Sequence, residues 1–160
     1  MLTPNPLSRV VAWLNREGMR FELIGETVRV RSQRWHVDFS YDATLDQLKA
    51  LCTWEGKPRY ENLDEFITFI TDWNYELLQP TAILETPTPT TMELRGRITL
   101  PNASLLPGTN IATFAMMSWI MCQHLMLTVE CSLPGGKLGL ANANPFLIQP
   151  ETLRRMGPAS

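Results

Sequence analysis

Apolar positions recur along the chain with two periods, near 3.6 residues and at two, which predict helices and strands respectively. Leu7, Val10, Val11 and Leu14 fall on one helical face. Asn5 can cap the free amides ahead of them, Pro6 suits the first helical position, and Gly18 suits a left-handed stop. A helix is expected from about residue 5 to about residue 17. Met19, Phe21 and Leu23 then alternate with Arg20 and Glu22, and Gly25-Glu26 reads as a turn. Val28 and Val30 alternate with Arg29 and Arg31. Trp35, Val37, Phe39 and Tyr41 alternate with His36, Asp38 and Ser40. Each alternation sends one set inward and the other outward. Residues 27–41 fit either one bent strand or two.

Leu48, Ala50, Cys52 and Trp54 alternate again, although residues 46–51 contain good helix formers. A strand is favoured there, ended by Gly56-Lys57-Pro58. Leu63, Phe66, Ile67, Ile70, Asn74 and Leu77 lie along one helical stripe bordered by Trp73. Asn62-Leu63-Asp64-Glu65 opens that helix with a capping residue and two acids near its positive end. Pro80 disfavours helix at Gln79. Residues 81–85 and 91–100 read as a hairpin, and the prolines in its turn, residues 86–90, bar central-strand pairing. From residue 98 to residue 129 there is no Asp, Glu, Lys or Arg. Residues 101–108 read as a loop. Thr109 or Asn110 can then cap a third helix reaching residues 128–130.

The order is helix, three strands, helix, two strands, helix. It predicts an α+β domain over residues 1–131, with an antiparallel sheet of about five strands and three helices. Residues 132–160, rich in Pro, Gly and Asn, read as an irregular tail with a short helix over residues 151–156.

Composition adds bounds. The 160 residues are 44% apolar and 19% charged, enough for one core. A net charge of -2 gives no strong field, so neither nucleic acid nor an anionic membrane surface is an expected partner. Three cysteines at irregular spacing argue against a disulfide framework and for a reducing compartment. Residues 1–6 lack a basic region followed by an apolar run, so a cytoplasmic location is expected.

Candidate chemistry is sparse. On a helix, Cys122 and His124 point roughly 200° apart, and Cys131 lies about 13 Å along the axis from Cys122. They cannot share one tetrahedral ion. His36 and Asp38 share a strand face and could form an acid–base pair, but no Ser or Cys nucleophile can be placed beside them. Gly135-Gly136-Lys137 lacks the spacing and the following hydroxyl of a phosphate loop. No catalytic, cofactor or metal site is therefore expected. Arg29, Arg31, Arg95 and Arg97 fall on outward strand faces. They offer a docking surface for an acidic partner, or one side of a mixed, solvated face with Glu22, Asp38 and Glu93. In the last helix Ile111, Phe114, Met117, Ser118, Met121, Leu125 and Thr128 form one stripe, and Met116, Trp119, Ile120, Gln123 and Leu127 fill much of the rest. A helix apolar nearly all round is buried on several sides or lies in lipid. Gln123, His124 and the lack of flanking positive charge argue against membrane insertion.

Trp73-Asn74, followed by Pro80, resembles the W-N-x(5)-P junction of YbjN-like proteins of the actinobacterial type. The strand at residues 92–100 and Gly108 at the head of the last helix continue the resemblance, which covers residues 7–129. It implies a type III secretion chaperone-like fold and brings no catalytic residues. Proteins of this family are often labelled sensory transduction regulators. The secretion-chaperone relatives bind extended segments of clients and are commonly dimers. The expected function is thus a non-enzymatic protein-binding domain, homodimeric, with Phe114, Met117, Met121 and Leu125 as its partner surface. Trp73 and Asn74 are read as structural, Trp73 packing between helix and sheet and Asn74 bonding backbone near the helix exit. The alternative is a small-ligand sensor with a helix–sheet pocket lined by some of Trp13, Trp35, Trp54, Trp73 and Trp119.

Overall fold

In the computed structural model, which describes residues 5–76 and 79–137, the Asn5 side chain accepts from Leu7 N at 2.7 Å and Ser8 N at 3.2 Å. These bonds satisfy two amides that a helix start leaves open. Helix α1 (Pro6–Arg16) follows and buries Val10, Trp13 and Leu14. Gly18, at φ +69°, turns the chain out of it.

Four strands come next: β1 (Glu22–Ile24), β2 (Thr27–Arg31), β3 (Trp35–Asp42) and β4 (Gln47–Trp54). Residues 27–41 are therefore two strands, and residues 47–54 are a strand rather than a helix. Cross-strand partners on both sides override the local helix preference there, since β4 pairs with β3 and with β6 (Thr91–Pro101). A 3-10 turn over Tyr60–Asn62 leads into α2 (Leu63–Glu76), and β5 (Thr81–Thr88) pairs with β6. A second 3-10 turn over Ala103–Leu105 leads into α3 (Gly108–Ser132). The sheet has six antiparallel strands in the order β1-β2-β3-β4-β6-β5, one more than the pattern predicts. The first is only three residues long and lies at an edge. Met19 and Phe21 precede it, packed against the core instead of paired.

One face of the sheet is the core. Val28, Phe39, Ala50 and Ile98 form one row across it, and Val30, Val37, Cys52, Gly96 and Ala82 form the next. Helices cover that face, with α1 against β3, α3 against β3, β4 and β6, and α2 against β5. Gly96 lets α3 close on the sheet. A Cβ there would sit 2.5 Å from Leu125 Cδ2 and 2.9 Å from Cys52 Sγ. Burial on several sides at this contact is what the charge-free run from residue 98 to residue 129 foreshadows.

Several boundaries differ from expectation. No side-chain cap holds α3, which begins at Gly108 behind Pro107 and so does not use Thr109 or Asn110 as a cap. The helix also runs past residues 128–130 to Ser132. Trp73 is fully buried rather than bordering its stripe, while Ile67 is 48% exposed, because α2 lies along the edge strand β5 instead of over the sheet centre. Leu77 and the helix expected at residues 151–156 lie outside the described residues.

Candidate functional site

Among the described residues, no helix covers the outer sheet face. Its side chains form rows of their own: Glu22, Arg29, Asp38, Leu51 and Arg97 in one, Arg31, His36, Thr53 and Arg95 in the next. The four arginines therefore do share a face, but they are not an unneutralised patch. Arg29 grips both oxygens of Asp38, at 2.7 and 2.9 Å. That bond is the main reason its guanidinium is raised further above its ordinary value. Arg31 pairs with Glu22, and Arg95 with Glu85 and Glu93. Arg97 alone of the four has no ionic partner among the described residues. His36 Nδ1 lies 3.0 Å from Glu55, and its other ring nitrogen lies 3.8 Å from Asp38. Asp38 is thus committed to Arg29, a poor arrangement for a proton-accepting base. The face is a mixed ion network, half-buried at Arg29, Asp38, His36 and Arg95 and open at Arg31 and Glu22, where a pair is worth about 0–1 kcal/mol.

The Trp73-Asn74 junction is architectural. Trp73 Nε1 donates to Pro80 O at 2.8 Å, and the indole meets the His124 ring edge-on at 5.3 Å between centroids. The Asn74 amide donates to Ala82 O at 2.9 Å and accepts from Ala82 N at 2.8 Å. It thereby occupies one hydrogen-bonding unit on the free edge of β5, as a neighbouring strand would. Burial holds His124 below its ordinary value, favouring the neutral ring.

Helix α3 has two unlike halves. From Cys122 to Cys131 nearly every residue is buried, including Gln123, Thr128 and Glu130. In the preceding half, Met116, Met117 and Ile120 are 42–43% exposed, and Phe114 and Met121 are half-buried beside them. Of the four residues expected to form a partner surface, Met117 is exposed and Phe114 and Met121 border it. Leu125 lies against Gly96 with no exposed surface and belongs to the core. Periodicity could not separate Leu125 from the other three, since α3 is apolar on nearly every side. Met116 and Ile120 complete the exposed stripe.

One carboxylate anchors the C-terminal end of this helix and another the 3-10 turn that leads into it, and neither stands out in the sequence. At the C-terminal end the Glu130 side chain is inaccessible to solvent. Its Oε1 accepts from Arg34 Nε at 2.9 Å and Trp54 Nε1 at 2.7 Å, and its Oε2 from Lys137 N at 2.7 Å. Arg34 also donates to Gly135 O at 2.9 Å, so residues 133–137 fold back onto the domain. The start of the expected tail is thus docked. At the other end, Asp46 receives Ser104 N at 2.9 Å, Ser104 Oγ at 2.6 Å and Tyr41 OH at 2.7 Å. Bonds from Ser104 and Tyr41 hold the Asp46 carboxyl below its ordinary range, and the same contact raises the Tyr41 hydroxyl.

All five tryptophans are core residues, none more than 7% exposed, and none lines the four cavities bounded by the described residues alone. Cys52 and Cys122 meet inside the core. Bonding between the thiols and burial push Cys122 well above its ordinary value. Cys131 stands apart, raised mainly by burial. Among the described residues, no three His, Cys, Asp or Glu groups converge as metal ligands. Helix α3 is long and apolar enough to cross a membrane by length and composition, but 56% of its most apolar window is covered by the domain.

No protein-family model matches the sequence, and no curated protein matches it. Among solved structures, one similar chain is YbjN from E. coli, described as a candidate transcription regulator. The likeness has a TM-score of 0.65 at 14% sequence identity and covers 77% of this chain and 90% of that one. The fold is YbjN-like. At that identity the likeness speaks for the architecture, an α+β domain with three helices and an antiparallel sheet, and not for a shared activity. The Trp73-Asn74 junction with Pro80 thus serves the architecture of a YbjN-like domain.

Proposed function

We propose that this chain is a non-enzymatic, YbjN-type protein-binding domain, with a regulatory or chaperone-like role, that engages a protein partner through the N-terminal half of α3. The single observation behind this reading is the stripe of Met116, Met117 and Ile120, exposed on the half of the helix that carries no charged residue and flanked by Phe114 and Met121. Contiguous exposed apolar surface marks interaction sites. Methionine suits surfaces that must fit varied partners. A role as regulator is what the E. coli structure's description suggests, and a chaperone-like clamp on a client is what the fold resemblance suggests. The finer placement among actinobacterial YbjN proteins rests on the Trp73-Asn74 and Pro80 signature. A homodimer and a cytoplasmic location complete the proposal. Neither nucleic acid nor membrane insertion has a part in it.

The test is affinity isolation of the tagged chain from its host, with subunit stoichiometry from light scattering. One dominant protein should co-purify and be lost on Met117→Glu and Ile120→Glu, with the circular dichroism spectrum unchanged. A wild-type protein that is strictly monomeric and retains no partner would overturn the proposal.

A further inference from the structure

A second feature stands away from the α3 stripe and is independent of the reading above. The β4–α2 loop faces the β5–β6 turn across a concave cleft of about 560 Å³, lined among others by Lys57, Arg59, Thr90, Thr91 and Glu93. A volume of that size falls within the range of about 300–1,000 Å³ typical of small-molecule sites. An adjoining cavity of about 320 Å³, bounded also by Pro134 and Gly135, shares Gly56, Lys57 and Arg59 with it. Lys57 and Arg59 therefore border both spaces. Tyr60 OH donates to Pro89 O at 3.2 Å and ties the loop to the turn.

The charges there are unequally committed. Lys57 has no ionic partner among the described residues. Arg59 makes only a 3.4 Å contact with Glu61, with both side chains more than two-thirds exposed, so it is free to exchange partners. Glu93, the acid on the cleft wall, is already paired with Arg95. The local balance thus favours an anion.

The backbone gives a separate reason. Lys57 sits at φ +54°, a left-handed conformation uncommon for a residue with a side chain. It also precedes Pro58, which restricts it further. The neighbouring residue shows what holds the loop in this shape. A Cβ at Gly56 would fall 2.0 Å from the Trp54 ring, so the loop lies flat on that indole. Non-glycine residues held in such conformations cluster at ligand-binding sites.

We propose that this cleft binds a small phosphorylated molecule. Its phosphoryl group would lie between the Lys57 ammonium and the Arg59 guanidinium, and the remainder would extend into the adjoining cavity. The Thr90 and Thr91 hydroxyls on the same wall lie 3.4 and 2.6 Å from Thr88 Oγ1, and each can donate to the ligand only while accepting from Thr88 or releasing it. A lysine serves a phosphate as a point charge and an arginine as a fork. A phosphoryl group, with three terminal oxygens, uses this set of donors more fully than a carboxylate does.

The full chain, labelled with nitrogen-15, is titrated with inorganic phosphate and separately with ribose 5-phosphate, with ionic strength held constant by chloride. Saturating shifts are expected at the amides of Gly56, Lys57, Arg59, Thr90 and Thr91, with ribose 5-phosphate binding at least tenfold tighter than phosphate. Lys57→Gln should weaken both at least tenfold while the rest of the spectrum is preserved. Lys57→Gly removes the ammonium and suits the left-handed backbone, so it should lose binding without loss of fold. Non-saturating shifts, or wild-type affinity in both Lys57 variants, would overturn the site. Equal affinity for phosphate and ribose 5-phosphate would overturn the role of the adjoining cavity. Tighter binding of a phosphoserine peptide than of ribose 5-phosphate would overturn the choice of a small molecule.

Discussion

The C-terminal end of α3 and the 3-10 turn that leads into the helix are each held by a carboxylate, in opposite surroundings. Glu130 is sealed from solvent and held by an arginine, an indole and a backbone amide. Asp46 is partly open to water and held by two hydroxyls and an amide. The halves differ in the same sense, since the segment leading to Glu130 is core and the segment after Ser104 presents Met116, Met117 and Ile120 to solvent. One apolar helix thus serves as core at one end and offers a surface at the other. What decides is which end the strands and the residue 133–137 turn enclose, not the helix's own composition.

The sharpest way to break this contrast is Arg34→Ala. It strands the Glu130 carboxylate in a dry site and frees Gly135 O at once. Removing one partner of a buried pair typically costs about 3–5 kcal/mol. Urea unfolding should show a loss of that order. A loss below about 0.5 kcal/mol, the range of ordinary surface changes, would mean that water reaches Glu130 and that the C-terminal end is not sealed.

Next in size is a matched pair within the helix. Leu125→Ala removes a side chain packed on Gly96 and should cost about 3 kcal/mol, within the range for buried leucines. Met117→Ala, two turns earlier and 43% exposed, should stay within about 0.5 kcal/mol. Equal losses in thermal melts would erase the distinction between the halves.

This pair also marks where the sequence stops being legible. Alternation placed the inner and outer faces of β2, β3, β4 and β6 correctly, because each has one covered and one open side. Asn5 and Gly18 bounded α1 because capping is local. The YbjN-like signature of Trp73, Asn74 and Pro80 located a junction whose hydrogen bonds stay within eight residues. Leu125 was misplaced onto a surface because the faces of α3 are distinguished only by distant partners. Glu130 was missed for a related reason. Arg34 and Trp54 lie 96 and 76 residues from it, and a lone acid near a helix end gives no sign of burial. The Lys57 cleft is built from a loop and a turn far apart in sequence, which periodicity does not describe.

A smaller effect tests whether the α2 side is tied down separately from α3. Asn74→Ala removes two bonds to the backbone of buried Ala82, and because the Asn74 side chain covering that backbone is itself exposed, water can replace them in part. A loss of about 1 kcal/mol is expected, the usual net worth of such bonds. Hydrogen exchange should quicken at Ala82 and leave the amides around Leu125 unchanged. Quickening at both would mean that β5 and α3 open as one unit.

The smallest effect probes the open end through pH. The Asp46 carboxyl lies below its ordinary range because Ser104 and Tyr41 donate to its charged form. Its stabilising contribution is therefore fully present above the unfolded-state value of about 3.9 and is lost as pH falls through the lower folded value. Asp46→Asn keeps a side chain that tolerates φ +48° but carries no titrating charge. The variant should melt below wild type at neutral pH, and the gap should close as the solution is acidified. Melting curves of the variant and the wild type across the acid range check this. A gap that stayed constant down to the acid limit would mean that the Ser104 and Tyr41 bonds do not favour the charged form of Asp46.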